Sequence, residues 1–372
     1  MKGGQGVVFP PESFSFRDEA TGALIHRLTS HPSINHATYF LQSSFYPDGS
    51  GLIFVSYRSG SPQLFEIADF PSGPIRQLTG AGPIHPFSPA IHPGGEWVFF
   101  VRGGSIWRLN RRKLTEVPVW SWEGAQLGEC SLDRTGDWIV AAAKRGPEYG
   151  LCCGRADGSE WRVIRFPRTV IHPQFHPLEP EWIEFAADPA PRMHRVRRDG
   201  SGLECLYRHD NEEFVVHETF LGATGDVVYA VWPKALRRMD WTTREHRTIA
   251  EFNAWHITPD RAGARVLCDT NHPDEGLYVI DAASGHRRRI CLSLASNQGT
   301  QWRRSRYALA EDFAAARAKD VSIALSWMET ATDTVYGPQW THPHPSWSPD
   351  ESKIVFTSDR DGSPQVYVAM TN

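Results

Sequence analysis

The sequence predicts an all-β fold, a seven-bladed β-propeller whose N- and C-terminal strands close one blade, and three observations carry that prediction. First, short apolar runs follow Pro/Asp/Gly-rich turns again and again: YPDGSGLIFVS, HPGGEWVFFV, DRTGDWIVAA, LEPEWIEFA, GATGDVVYAV, PDRAGARVLC and SPDESKIVFTS. Each reads as a turn feeding a buried strand. Second, the first strong apolar residue after each turn falls at Leu52, Val98, Ile139, Ile183, Val227, Val266 and Ile354, every 39 to 46 residues apart from a last interval of 88. A four-stranded blade takes about 40–50 residues, so seven marks imply seven blades. Third, blades end alike in a charged turn and a final strand, as in SGPIRQLT, TTREHRTIA and ASGHRRRIC. The N-terminal TGALIHRLT has this last-strand character with no blade before it, and the C-terminus stops after QVYVAM, a third-strand segment. The two ends therefore complete one blade together, which removes the free edges an open sheet would expose.

The long last interval contains RYALAEDFAAARAKD. Its alanine-rich pattern is helical rather than stranded, so a helical insertion or lid near 300–320, within a longer segment 296–330, is expected in place of an eighth blade. No linker or break in composition divides the chain, and one domain over 1–372 is expected.

With 40% hydrophobic residues over 372 positions, the chain can bury a large core. A net charge of −4 argues against a general nucleic-acid binder, which needs a basic surface. The segment MKGGQGVVFPPESFSF lacks the apolar core of a signal peptide, and no run reaches the roughly 18 apolar residues of a membrane span. A soluble, cytoplasmic protein with no membrane partner is expected, its oligomeric state left open. Cys130, Cys152, Cys153, Cys205, Cys268 and Cys291 have no paired metal spacing, and the adjacent Cys152 and Cys153 are awkward disulfide partners, so all six read as buried thiols.

Counting back ten residues from the seven marks gives Gln42, Ser88, Glu129, Pro173, His217, His256 and His344. Three successive blades thus place a histidine where the chain enters its innermost strand, near the axis. In GPQWTHPHPSW, His342 lies two residues before His344, on the same face of an extended segment, with Gln339 three further back. A single histidine beside a propeller turn most often caps backbone groups. Three in phase together with an HxH pair point instead to a metal site built from His256, Gln339, His342 and His344. Three imidazole nitrogens and one amide oxygen suit Mn²⁺, Fe²⁺, Zn²⁺ or Ni²⁺ over soft ions. All four ligands are neutral, so the ion keeps its charge and its preferred guest is an anion such as a carboxylate.

At GPQWTHPHPSWSPD…IVFTSDRDGSPQVYVA the sequence resembles the oligogalacturonate lyases, the polysaccharide-lyase family that cuts short pectin fragments. The family has a seven-bladed propeller and a Q-x-x-H-x-H element that supplies three ligands to manganese, matched in type and spacing by Gln339, His342 and His344. Its fourth ligand, a histidine entering the preceding blade, corresponds to His256. The proposed base of the family, a histidine followed by Glu, is matched by His217-Glu218, and its upstream arginine by Arg192-Met193 leading to the Asp199-Gly200 turn. TGALIHRLT and HATYF…FYPDGSGLIF are similar to the family's opening blade. Ala254-Trp255-His256-Ile257-Thr258-Pro259-Asp260 departs from the family's Cys-Ser-His-x-Met-Ser-Asn, and Thr219-Phe220 from its aromatic pair, leaving the exact uronide open.

The resemblance implies β-elimination on an oligogalacturonide or a related uronide. A base removes the C5 proton while O4 departs, and neutralising the uronate carboxylate is the main electrostatic task. His217 is then the base, and Arg192 offers a two-pronged contact to a carboxylate. The bland alternative for Arg192 is a solvated arginine of the basic run RMHRVRRDG; Arg195, Arg197 and Arg198 read that way. His36 stands between channel lining and capping, and His272 falls in an outer turn and is discounted as a ligand. Two other functions remain open at this point: a non-catalytic TolB-like propeller that binds a protein, and a metal-dependent hydrolase or epimerase on the same scaffold.

Overall fold

The computed structural model describes residues 4–298 and 338–371. The helical insertion expected near 300–320 lies outside the described residues. Within them the chain forms seven antiparallel sheets, and the innermost strands of neighbouring blades touch around the axis. The seven phase marks all fall on the first or second residue of a blade's second strand, from Leu52 in Leu52–Ser56 to Ile354 in Lys353–Ser358, and every one is fully buried.

Period-two alternation explains how each blade serves two neighbours. Successive side chains of a strand point to opposite faces. Leu52 and Phe54 of the first blade pack against Val355, Val366 and Val368 of the seventh, whereas Ile53 and Val55 pack against Val98 and Phe100 of the second. The same arrangement repeats between each adjacent pair, so the core is a ring of seven apolar layers between blades. Fully burying one such aliphatic or aromatic side chain contributes about 1.5–3 kcal/mol.

The ends meet as the sequence predicts. Leu24–Arg27 pairs with Gln365–Met370 in the register Ile25 to Ala369 and Arg27 to Tyr367, and Phe14–Arg17 adds the outermost strand. Two strands were not foreseen: Phe14–Arg17, a fifth strand on the closed blade, and Val8–Phe9, which pairs with Ile75 and Arg76 on the outside of the first blade. None of the described helices is long and apolar enough to cross a membrane. All six cysteines are free; five are buried as expected, and Cys205 is only half-buried.

Candidate metal centre

The innermost strands of four consecutive blades carry a register shift at one level, between Leu127 and Cys130, Ile171 and Gln174, Val216 and Thr219, and Ala254 and Ile257. Such bulges re-aim side chains and recur beside active sites. Here they hold Glu129, His172, His217 and His256. Each lies three positions before the residue that pairs with the phase mark: Leu132 with Ile139, Phe175 with Ile183, Phe220 with Val227, Pro259 with Val266. His344 stands in the same relation to Trp347, the partner of Ile354.

This corrects the sequence count in the fourth blade. The turn from Phe175 to Ile183 is one residue longer than its counterparts, so the equivalent position is His172 and not Pro173. Four successive blades therefore present a histidine, not three. His172, His217 and His344 have φ values of 56°, 56° and 44°. A left-handed conformation in a residue other than glycine costs about 1–3 kcal/mol and persists where surrounding structure enforces it.

His256, His342 and His344 are buried, and one ligand nitrogen from each lies within 4.8 Å of the other two. The rings of His256 and His344 are 4.1 Å apart between centroids. His256 donates its backbone N–H to Asp269 Oδ1 at 2.6 Å, and its Nδ1 lies 2.7 Å from Asp269 Oδ2. Its Nε2, like both ring nitrogens of His344, is buried with no hydrogen-bond partner in the protein. Burial, reinforced by neighbouring imidazoles, holds both His256 and His344 well below the usual histidine range. Neutral imidazoles with unshared lone pairs are what a borderline cation requires, so this donor set fits a divalent ion. Gln339 lies half-buried on the 3₁₀ turn Gln339–Thr341, and its carbonyl accepts the His342 N–H at 3.1 Å. Three of the four predicted ligands thus converge, and the fourth sits on the turn that leads into His342 and His344. His272 is directed elsewhere, its Nε2 3.0 Å from the Asn297 carbonyl.

His217 adjoins this cluster. Its ring is 4.4 Å from that of His256 and meets Trp255 edge-on at 4.4 Å and Phe40 at 5.1 Å. Nδ1 is buried with no partner. Burial, then the charges of His172 and Arg192, lower its pKa far below the usual value, so the ring is neutral.

Arg192 is buried, which removes the solvated reading. It is not an open fork either: Nε donates to Glu218 Oε1 at 2.6 Å, Nη1 to Asp188 Oδ1 at 2.7 Å, and Nη2 faces His172 Nδ1 at 3.4 Å. Burial would push the Glu218 carboxyl up, but Arg192 and His172 bring it down to about 2.

Sequence reasoning also passed over two aromatics. The loop 38–44 leaves the first blade and crosses the axis: Gln42 bonds Ser131 of the third blade at 2.9 Å, and Thr258 of the sixth bonds the Phe40 carbonyl at 3.2 Å. The Phe40 ring packs against His172, His217, His256 and His344. The Tyr39 hydroxyl is 2.8 Å from His172 Nε2. The aromatic pair in HATYF, too short a signal to place at the axis unaided, was the available clue. His36 joins this aromatic group through Phe87, 4.9 Å away, and bonds the Ala37 carbonyl. Loop residues Phe40 to Ser43 also line, with the turns around Pro47, Arg261 and Glu351, a cavity of about 290 Å³ that no histidine lines.

No family model matches the sequence. The chain is 24% identical to an oligogalacturonide lyase of Pectobacterium atrosepticum, with 98% of this chain and 97% of the relative covered. It is 25% identical to an oligogalacturonate lyase of Dickeya dadantii, with 96% of each covered. Among solved structures, an oligogalacturonate lyase in complex with manganese superposes with a TM-score of 0.82 at 21% identity, covering 100% of this chain and 99% of that one. The oligogalacturonate lyase of Vibrio parahaemolyticus gives 0.80 at 20% identity over 99% of both. A Swd1 propeller domain from Myceliophteria thermophila reaches only 0.56 at 10% identity, covering 92% of this chain and 97% of that one. The first two likenesses establish the seven-bladed propeller over the whole chain.

Proposed function

We infer that this chain belongs with the oligogalacturonate lyases and cleaves short oligogalacturonides by β-elimination, using a divalent ion, Mn²⁺ first among the candidates. The observation that carries this reading is the convergence of the buried His256, His342 and His344, the first and last held neutral by burial, beside a fourth imidazole, that of His217, which burial also keeps neutral. With Gln339 they would hold the ion. When bound, it supplies Lewis-acid neutralisation of the uronate carboxylate.

The remaining work falls to the protein. His217 accepts the C5 proton; the C5–H electrons form the C4=C5 bond, the C4–O4 bond breaks with its electron pair going to O4, and O4 gains a proton as the His217 imidazolium gives one up, through solvent, and returns to neutral. Products together are isomeric with substrate plus no water. A neutral imidazole is required for this step, and the burial of His217 keeps it so. Arg192 supplies fixed positive charge beside the base. Because Glu218 and Asp188 already occupy two of its nitrogens, a substrate carboxylate would share this guanidinium with them. Phe40 and Trp255 wall His217 and exclude water, which favours elimination over hydrolysis.

The test combines metal analysis with an ultraviolet assay on digalacturonate. About one equivalent of divalent ion and an absorbing unsaturated uronate are expected, with carboxyl-methylated substrate much slower because an ester brings no charge to the ion. Reducing ends released without ultraviolet absorbance would make the enzyme a hydrolase, and bound metal with no turnover on any uronide would favour a binding propeller.

A further inference from the structure

The sixth-blade bulge leaves the backbone N–H of His256 without a ladder partner, since pairing passes from Ala254–Thr270 to Ile257–Cys268. Asp269, on the facing strand Arg265–Thr270, fills that gap with one oxygen at 2.6 Å and meets the His256 ring with the other at 2.7 Å. Capping alone is not unusual here: Glu129 Oε1 accepts the His172 backbone N–H at 2.5 Å in the same way. Of these two carboxylates, Asp269 alone also reaches an imidazole nitrogen of the residue it caps.

We propose that Asp269 is a positioning residue that fixes the tautomer of His256 and through it the metal affinity of the site. This rests on the metal-centre reading above. The backbone donor fixes which way the carboxylate is used. With Oδ1 held by the N–H, Oδ2 accepts the Nδ1 proton, and the Nε2 lone pair is left facing His342 and His344. Carboxylate partners of this kind orient ligating histidines and raise their basicity.

The geometry makes Asp269→Asn a sharp test, because the substitution preserves volume and the bulge cap yet reverses the ring. The backbone N–H demands the amide oxygen, so the NH₂ group must face Nδ1. It donates there, the ring proton moves to Nε2, and the lone pair leaves the site. Mn²⁺ titration by calorimetry is expected to give a dissociation constant raised about 10–100-fold, while the metal-free variant melts close to the parent. Asp269→Ala, which loses both bonds, is expected to lower affinity and melting temperature together. Unchanged Mn²⁺ affinity in Asp269→Asn overturns the proposal. A parent protein that binds none of Mn²⁺, Fe²⁺, Zn²⁺ and Ni²⁺ overturns the metal reading and this inference with it. Should the variant fail to fold, the Zn²⁺-loaded parent decides: a downfield, slowly exchanging His256 Nδ1 proton in its nitrogen-edited NMR spectrum is expected, and a rapidly exchanging one refutes the assignment.

Discussion

Replacing His217 with asparagine separates proton abstraction from every other role that residue could have. Asparagine is among the side chains that best tolerate the left-handed region, so the φ of 56° adds no new strain. It keeps polarity but cannot take up a proton at neutral pH. General-base assistance contributes about 10²–10⁴-fold, or about 3–5 kcal/mol of barrier at 1.36 kcal/mol per tenfold. The fold should lose far less. The ring gives up edge contacts with Trp255 and Phe40, a loss of about 1–2 kcal/mol and a fall of a few degrees in melting temperature. His256, Gln339, His342 and His344 are untouched, so metal content should hold. The assay is initial rate from ultraviolet absorbance on digalacturonate, beside metal content and a thermal melt of the same preparation. Turnover within a few-fold of the parent would refute the assignment of the base. Loss of metal would make His217 a ligand.

Joint replacement of His342 and His344 by alanine removes two converging ligands and should abolish bound metal; unchanged content by elemental analysis would show the site to be elsewhere. Arg192→Lys puts one point charge where a guanidinium spans Glu218 and Asp188. It should slow turnover and lower thermal stability, with about 3–5 kcal/mol as the upper bound for a broken buried pair, and a parent-like melt would show the network to be dispensable. Acid should weaken the metal-free fold, because burial depresses His36 and His85 from 6.5 to about 4. The unfolded chain takes up these protons first, so their stability term is intact above about pH 6.5 and declines as pH falls toward 4, by up to about 3 kcal/mol each. Melting curves of His36→Gln and His85→Gln against pH should be flatter than the parent's in that window.

The repeat was legible because burial is strict at one place per blade: Leu52, Val98 and their five counterparts sit where the second strand enters the core, and nothing polar is tolerated there. The ring closure was legible for a related reason, since TGALIHRLT has a strand pattern that only a distant partner could satisfy. His172 was missed by one position because turns absorb an extra residue at little expense, so a fixed offset counted across a turn drifts. Asp269 was invisible for a different reason. It reads as one polar residue in the strand RVLCDT, and only the bulge opposite, formed by chain 13 residues away, gives it a partner. Arg192 was open to the solvated reading because it belongs to the run RMHRVRRDG, of which Arg197 is exposed, over the Trp182 ring at 4.1 Å; Arg195, expected to be solvated as well, is instead half-buried against Trp182 and Trp241 and paired with Glu204.

The pairing of Ile25 with Ala369 bears on when the enzyme can first become active. His342 and His344 lead into the blade that this pairing completes, whereas His217 and His256 belong to blades built from continuous chain. On the ribosome, Leu24–Arg27 can pair early with Phe14–Arg17 but cannot join Gln365–Met370 until the more than 330 residues between them have emerged. A nascent chain can therefore assemble the proposed base, His217, and one proposed ligand, His256, well before it can bring His342 and His344 beside them. Uptake of the ion would then coincide with the last event of folding, making loaded metal a reporter that the circle has closed.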